Sequence, residues 1–99
     1  MLLVDISEEA DADIDKVVAY IAFEAMNEVA AIRFYVGITD TIAKLSYLGE
    51  VIAYSQQPYI QKHFGMFART IVYKKMTIVY NVINDVAYVR RVIPSKLIY

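Results

Sequence analysis

Apolar residues along this chain change their spacing three times, and each spacing predicts an element. Leu2, Leu3, Val4 and Ile6 form a short apolar run that stops at Ser7 and predicts an opening strand. Ser7 is suited to cap a helix, because its hydroxyl accepts a backbone N–H left unpaired in the first turn. Glu8, Glu9 and Asp11 follow where the positive end of the helix dipole favours anions. Ile14, Val17, Val18 and Ile21 then recur at i, i+3, i+4 and i+7, the spacing of one buried face, and predict a helix from Glu8 to Ala25. Asn27 supplies a second cap with Glu28 just inside it. Ala31, Phe34, Ile38, Ile42 and Leu45 carry the second stripe, and Gly49 offers a residue tolerant of positive φ where that helix stops. So short a connection folds the two helices into an antiparallel hairpin.

Residues 51–67 lose this regularity. Gln56, Gln57 and Pro58 argue for a loop, while Tyr54, Tyr59, Phe64 and Phe67 need something to pack on. The reading is an irregular connection with at most a short strand or turn. Beyond it, Arg69–Lys74, Met76–Ile83 and Val86–Ile93 are dense in Val, Ile, Tyr and Thr, with reversals at Lys74–Lys75 and Asn84–Asp85. The predicted fold is therefore α+β: an N-terminal strand, an antiparallel helical hairpin, then a three-stranded antiparallel meander, forming one sheet with the helices on one face. In Met76–Ile83 both alternating sets are apolar, so the second face of that strand must be covered too. A loop, the C-terminal tail or another chain would serve.

Ninety-nine residues, 59% of them hydrophobic, with three Gly and two Pro, suit one domain over 1–99 with one modest core. No apolar run approaches the roughly 18–20 residues of a membrane span. Met1–Ile6 has neither a basic flank nor a small-residue cleavage site, so no signal peptide is expected. The absence of Cys removes disulfides, thiolate metal sites and thiol nucleophiles, and fits a reducing cytoplasm. A net charge of −1 hides an asymmetry: residues 1–50 hold ten acids and three bases (−7), residues 51–99 one acid and seven bases (+6). The halves either neutralise each other across the fold or present separate acidic and basic faces to partners.

Three stretches resemble the RelE/ParE superfamily of small bacterial toxins. The opening, Val4 to Ala10 followed by Asp13-Ile-Asp and Val18-Ala-Tyr-Ile-Ala22, is similar to the family's first strand and helix. Ala30-Ala31, Phe34, Ile38, Ile42 and Leu45 are similar to its second helix. Tyr73, Ile78-Val-Tyr80, Val82 and then Val86 to Arg91-Val92-Ile93 resemble the hairpin that closes on Arg-Val before a basic tail. The resemblance implies the toxin of a type II toxin–antitoxin (plasmid stabilisation) system, a cytoplasmic growth inhibitor silenced by a cognate antitoxin. Its target would be DNA gyrase, as for ParE-like members, or mRNA on the ribosome, as for RelE-like members. A homodimer and a toxin–antitoxin hetero-oligomer are both open to it; no cofactor or membrane is implied.

Cleaving RNA through its 2′-hydroxyl needs a base, an acid and stabilisation of the phosphorane charge. The resemblance offers Arg69, Arg91 of the closing Arg-Val pair and Lys96 of the tail as the catalytic candidates of a metal-independent endoribonuclease. The chain departs from that pattern at Thr77, where such nucleases often carry Arg, and at Pro94, where many carry His. Its one histidine, His63, falls in the irregular stretch. Each candidate also has a structural reading: Arg69 and Arg91 as surface or ion-paired strand residues, Lys74–Lys75 as a soluble turn, Tyr80 and Tyr88 as core rather than a base-stacking surface. Tyr99 matches a tail tyrosine of some nucleases in rough position only. Asp11, Asp13 and Asp15 read as a solvated helix face, since the glycine and terminal Glu of a calcium loop are missing. The missing nuclease groups tilt the reading toward gyrase. A catalytically inactive binding module of the same fold is the further alternative, suggested by a pI of about 5.7 and the apolar tail Leu97-Ile98-Tyr99.

Overall fold

One hydroxyl ends the first strand and begins the first helix. Strand β1 (Leu3–Ile6) is followed by Ser7, whose Oγ accepts from Ala10 N at 3.0 Å and donates to the carbonyl of Arg90 at 2.9 Å. Helix α1 (Glu8–Ala19) thus starts fixed to the far end of the sequence. The computed structural model describes residues 1–98; Tyr99 lies outside them.

The predicted helix to Ala25 is present, but its last turn widens. Over Tyr20–Glu24 the backbone bonds reach i→i+5, as when Ala25 N donates to Tyr20 O at 3.0 Å. Met26, at φ 51°, turns the chain, and Asn27 caps α2 (Glu28–Ala43) by accepting from Ala30 N at 3.0 Å. The second helix breaks at Lys44 and resumes as the single turn α3 (Leu45–Leu48).

Gly49 does not play the part expected of it. Its φ is −54°, so positive φ is not what selects glycine there. A Cβ would stand 2.6 Å from Leu2 Cδ1 and 2.7 Å from the Leu45 carbonyl, so the position has no room for a side chain. The Gly49 carbonyl also accepts the buried Tyr80 hydroxyl at 2.8 Å.

Strands β2 (Arg69–Tyr73), β3 (Met76–Ile83) and β4 (Val86–Pro94) form the expected antiparallel meander. Both reversals take two residues; at the second, Asn84 (φ 49°) and Asp85 (φ 65°) both adopt the left-handed conformation that matches the twist of a tight hairpin. β1 adds to the outer side of β4 in parallel, giving the order β1-β4-β3-β2.

The helical hairpin covers one face, where Ile14, Phe34, Ile38, Ile42 and Leu45 pack on Ile78, Tyr80, Ala87, Val89 and Val92. The intervening residues Val79 and Ile93 point to the other face, against Ile60, Ala68 and Ile98. The loop and the tail, two of the three coverings open from sequence, therefore supply it. The loop is not wholly irregular, however: Pro58–Phe64 form a helix, α4. Pro58 begins it, where its missing N–H costs nothing, and Gly65 at φ 95° ends it. Seven residues make barely two turns, too few to display a periodic stripe around its one buried residue, Ile60.

Two variants test this core. Gly49→Ala should cost about 1–3 kcal/mol in urea unfolding, because the new methyl meets the Leu45 carbonyl, which cannot swing aside, as well as the Leu2 side-chain tip. Burial pushes the Tyr80 hydroxyl up to about 12 from 10.0, against a smaller lowering by Arg69. The folded state then holds a proton that the unfolded state has lost, so stability should fall as pH rises from about 10 toward about 12. Tyr80→Phe should be less stable at neutral pH and should flatten that decline.

Candidate functional site

β4 runs nine residues, but β1 pairs only with Val86–Val89. At that point β4 also carries an extra residue: Val79 pairs with Arg91 and Tyr80 with Val89, which leaves Arg90 as a bulge. The bulge lets Val89 and Val92, three apart, both face the helices while Arg90 and Arg91 both turn away from them. Arg90 donates to Asn81 Oδ1 at 2.9 Å, with its guanidinium 5.5 Å from the centre of the Phe64 ring.

Arg91 instead reaches round the uncovered edge to α1. Its Nε and one Nη donate to the two oxygens of Asp13 at 2.7 and 2.9 Å, and the Val92 N–H donates to the same carboxylate at 2.9 Å. Asp13 thus takes the place of the strand missing at this edge. Its side chain is 13% exposed and that of Arg91 45%. The hydrogen bonds that Arg91 donates to Asp13 hold the guanidinium pKa above its ordinary value, outweighing the opposing effect of partial burial. Sequence reading placed Asp13 on a solvated face with Asp11 and Asp15, which do lie exposed. The corrective signal was there: Asp13 stands three residues after Ala10 and four before Val17, inside the stripe that faces the sheet.

Beside this pair runs a groove of about 540 Å³ between α1 and the end of β4. Val17, Tyr20, Met76, Ile93, Pro94 and Leu97 give it apolar walls, with Lys16, Asp13, Arg91 and Tyr59 at its polar side. The His63 ring lies 4.4 Å from that of Tyr59, so α4 brings the one histidine close to this wall.

Arg69 is elsewhere. It pairs with Tyr80, on the helix-facing side of the sheet, whereas Arg91 pairs with Val79, on the other. One Nη of Arg69 donates to the carbonyls of Glu50 at 3.0 Å and Ile52 at 2.7 Å, and its guanidinium lies 4.5 Å from the Tyr54 ring. Arg69 therefore staples the chain after α3 to the sheet. Lys96 sits exposed in a 3-10 turn (Ser95–Leu97) next to the groove-lining Leu97. The three basic candidates are not brought together.

Thr77 is buried and shares a 2.8 Å hydrogen bond with the Ser95 hydroxyl, so the tail lies over the position where an arginine would stand. Tyr80 is core, as read from sequence; Tyr88 is not, being 38% exposed on the opposite face. Among the described residues Arg91–Asp13 is the one ion pair. That pair is itself a contact between the acidic and the basic half of the chain. Among the described residues no helix is long and apolar enough to cross a membrane.

Comparison with known proteins gives one kind of match. No family model and no curated protein matches the chain. Among solved structures, a chain of the "Chromosomal ParDE TA system from P. aeruginosa" is similar over 95% of this chain and 96% of its own, with a TM-score of 0.73 at 16% identity. That likeness shows a shared fold, and it agrees with the resemblance carried by the strand, helices and closing hairpin.

Asp13→Ala should cost roughly 1–3 kcal/mol, most of it from the stranded Val92 N–H, because Arg91 remains largely solvated. Asp13→Asn keeps an oxygen for Val92 and should lose less than half as much in chemical denaturation. Equal losses would assign the stability to the charge instead of the strand edge.

Proposed function

We propose that this chain is the toxin of a toxin–antitoxin pair, silenced by a cognate antitoxin, and that it acts by protein contact on DNA gyrase. The observation that carries the choice of mechanism is the engagement of its two arginine candidates. Arg69 is spent on the carbonyls of Glu50 and Ile52, Arg91 on Asp13, and the two face opposite sides of the sheet. A nuclease needs its acid, base and charge-stabilising groups converging on one phosphate. The likeness to a chain of a ParDE system supports the toxin–antitoxin assignment at the level of fold. A cytoplasmic site of action follows from either target.

One observation favours mRNA cleavage as the second reading: Arg91 and Tyr59 line the same groove, and His63 packs on Tyr59. A cation, a phenol and an imidazole along one wall are the groups such chemistry uses.

Induction in a bacterial host should arrest growth, and co-expression of the adjacent antitoxin should restore it. Purified protein should inhibit supercoiling by gyrase or trap its cleaved DNA complex, and Lys96→Ala should leave that effect within about twofold. Arrest accompanied by new mRNA 5′ ends within reading frames, abolished by Arg91→Ala, would replace gyrase with the ribosome. Healthy growth on induction would leave only the inactive binding module.

A further inference from the structure

A helix lying on a sheet needs one apolar stripe, and α2 has two. The inner one, Ala31, Phe34, Ile38 and Ile42, is buried against the sheet. The outer one consists of Val29, Ile32, Val36, Thr39 and Ala43, spaced 3-4-3-4 as at the a and d positions of a coiled coil. Val29 is 59%, Ile32 64% and Val36 50% exposed. Thr39 fits the stripe because its hydroxyl is turned inward, donating to the carbonyls of Tyr35 at 2.8 Å and Val36 at 3.1 Å, which leaves the methyl to pack. Phe23 and Tyr35 widen the surface, bordering with Ile32 a groove of about 400 Å³ between the hairpin helices. Helices that are apolar all round are normally buried all round.

We propose that this outer face of α2 is the interface at which two copies of the chain pair through their α2 helices. Three observations select a second copy. The first is area: Phe23, Val29, Ile32, Tyr35 and Val36 expose together on the order of 500 Å² of apolar surface, near the upper limit for a monomer's largest patch. With the charged residues beside them they approach the roughly 800 Å² per partner of a standard interface. The second is charge. The seam is flanked by Glu28 at a g position and by Arg33 and Asp40 at e positions. In a parallel pair Arg33 meets Glu28 of the other copy; in an antiparallel pair it meets Asp40. Arg33 thus finds an acid in either direction, as a self-complementary two-fold contact requires and a foreign helix would not. The third is availability: among the described residues neither Arg33 nor those two acids forms an ion pair. This pairing is independent of the toxin reading and holds whatever the target.

Sedimentation equilibrium of the full chain over increasing concentration tests it. A reversible dimer is expected. Ile32→Lys, at an exposed position, should yield a monomer with unchanged circular dichroism and a Tm that no longer depends on concentration. Arg33→Glu should raise the dimer Kd by about tenfold or more. Adding Glu28→Arg should restore it if the helices run parallel, and adding Asp40→Arg if they run antiparallel. A chain that stays monomeric at roughly 1 mM, a dimer indifferent to Ile32→Lys, or failure of both charge reversals to rescue Arg33→Glu would each overturn the proposal. So would a monomer whose α2 face is filled only by an added antitoxin.

Discussion

The fold turns on how a long strand is finished when its neighbour is short. β4 sits between β3 and a four-residue β1, and its last residues would present bare N–H and C=O groups along an open edge. Asp13 resolves this by bringing a carboxylate from α1 to the Val92 N–H and to Arg91 together. Ser7 closes the stretch just before it, binding both Val89 and Arg90. The first helix is consequently docked to the sheet by hydrogen bonds as well as by its apolar stripe, and the groove beside Arg91 owes its shape to the same docking.

Sequence carried the parts of this architecture that depend on local chemistry. Ser7 and Asn27 announced both helix starts, because a side-chain oxygen before an acidic turn satisfies orphan backbone donors wherever it occurs. Asn84–Asp85 announced a hairpin for a comparably local reason. The doubly apolar pattern of Met76–Ile83 even indicated that something covers the second face. What stayed hidden depends on partners distant along the chain: α4 is too short to show a period, Gly49 is small on account of Leu2 and the Leu45 carbonyl, and Asp13 differs from Asp11 and Asp15 only in what stands opposite it.

The candidate residues divide along the same line. Arg69, Arg91 and Lys96 resemble the family's basic positions in one dimension, and strand pairing separates the two arginines onto opposite faces. Arginine suits such structural duty, because its planar fork holds its donors in fixed directions, whereas lysine offers three on a flexible stem. Among the described residues one ion pair, Arg91–Asp13, joins the acid-rich helices to the base-rich sheet and tail.

The bulge at Arg90 also sets a limit on reasoning by alignment. In a regular strand, adjacent residues alternate faces, so a residue is assigned a side by counting. Across Arg90 that count slips by one, and Arg90 and Arg91 share a side. A related chain lacking the bulge would match the Arg-Val letters here while directing its arginine into the core-facing layer, or would place the equivalent group one letter away. Transferring a catalytic role to this strand by sequence position therefore requires the phase of the pleat as well as the identity of the residue.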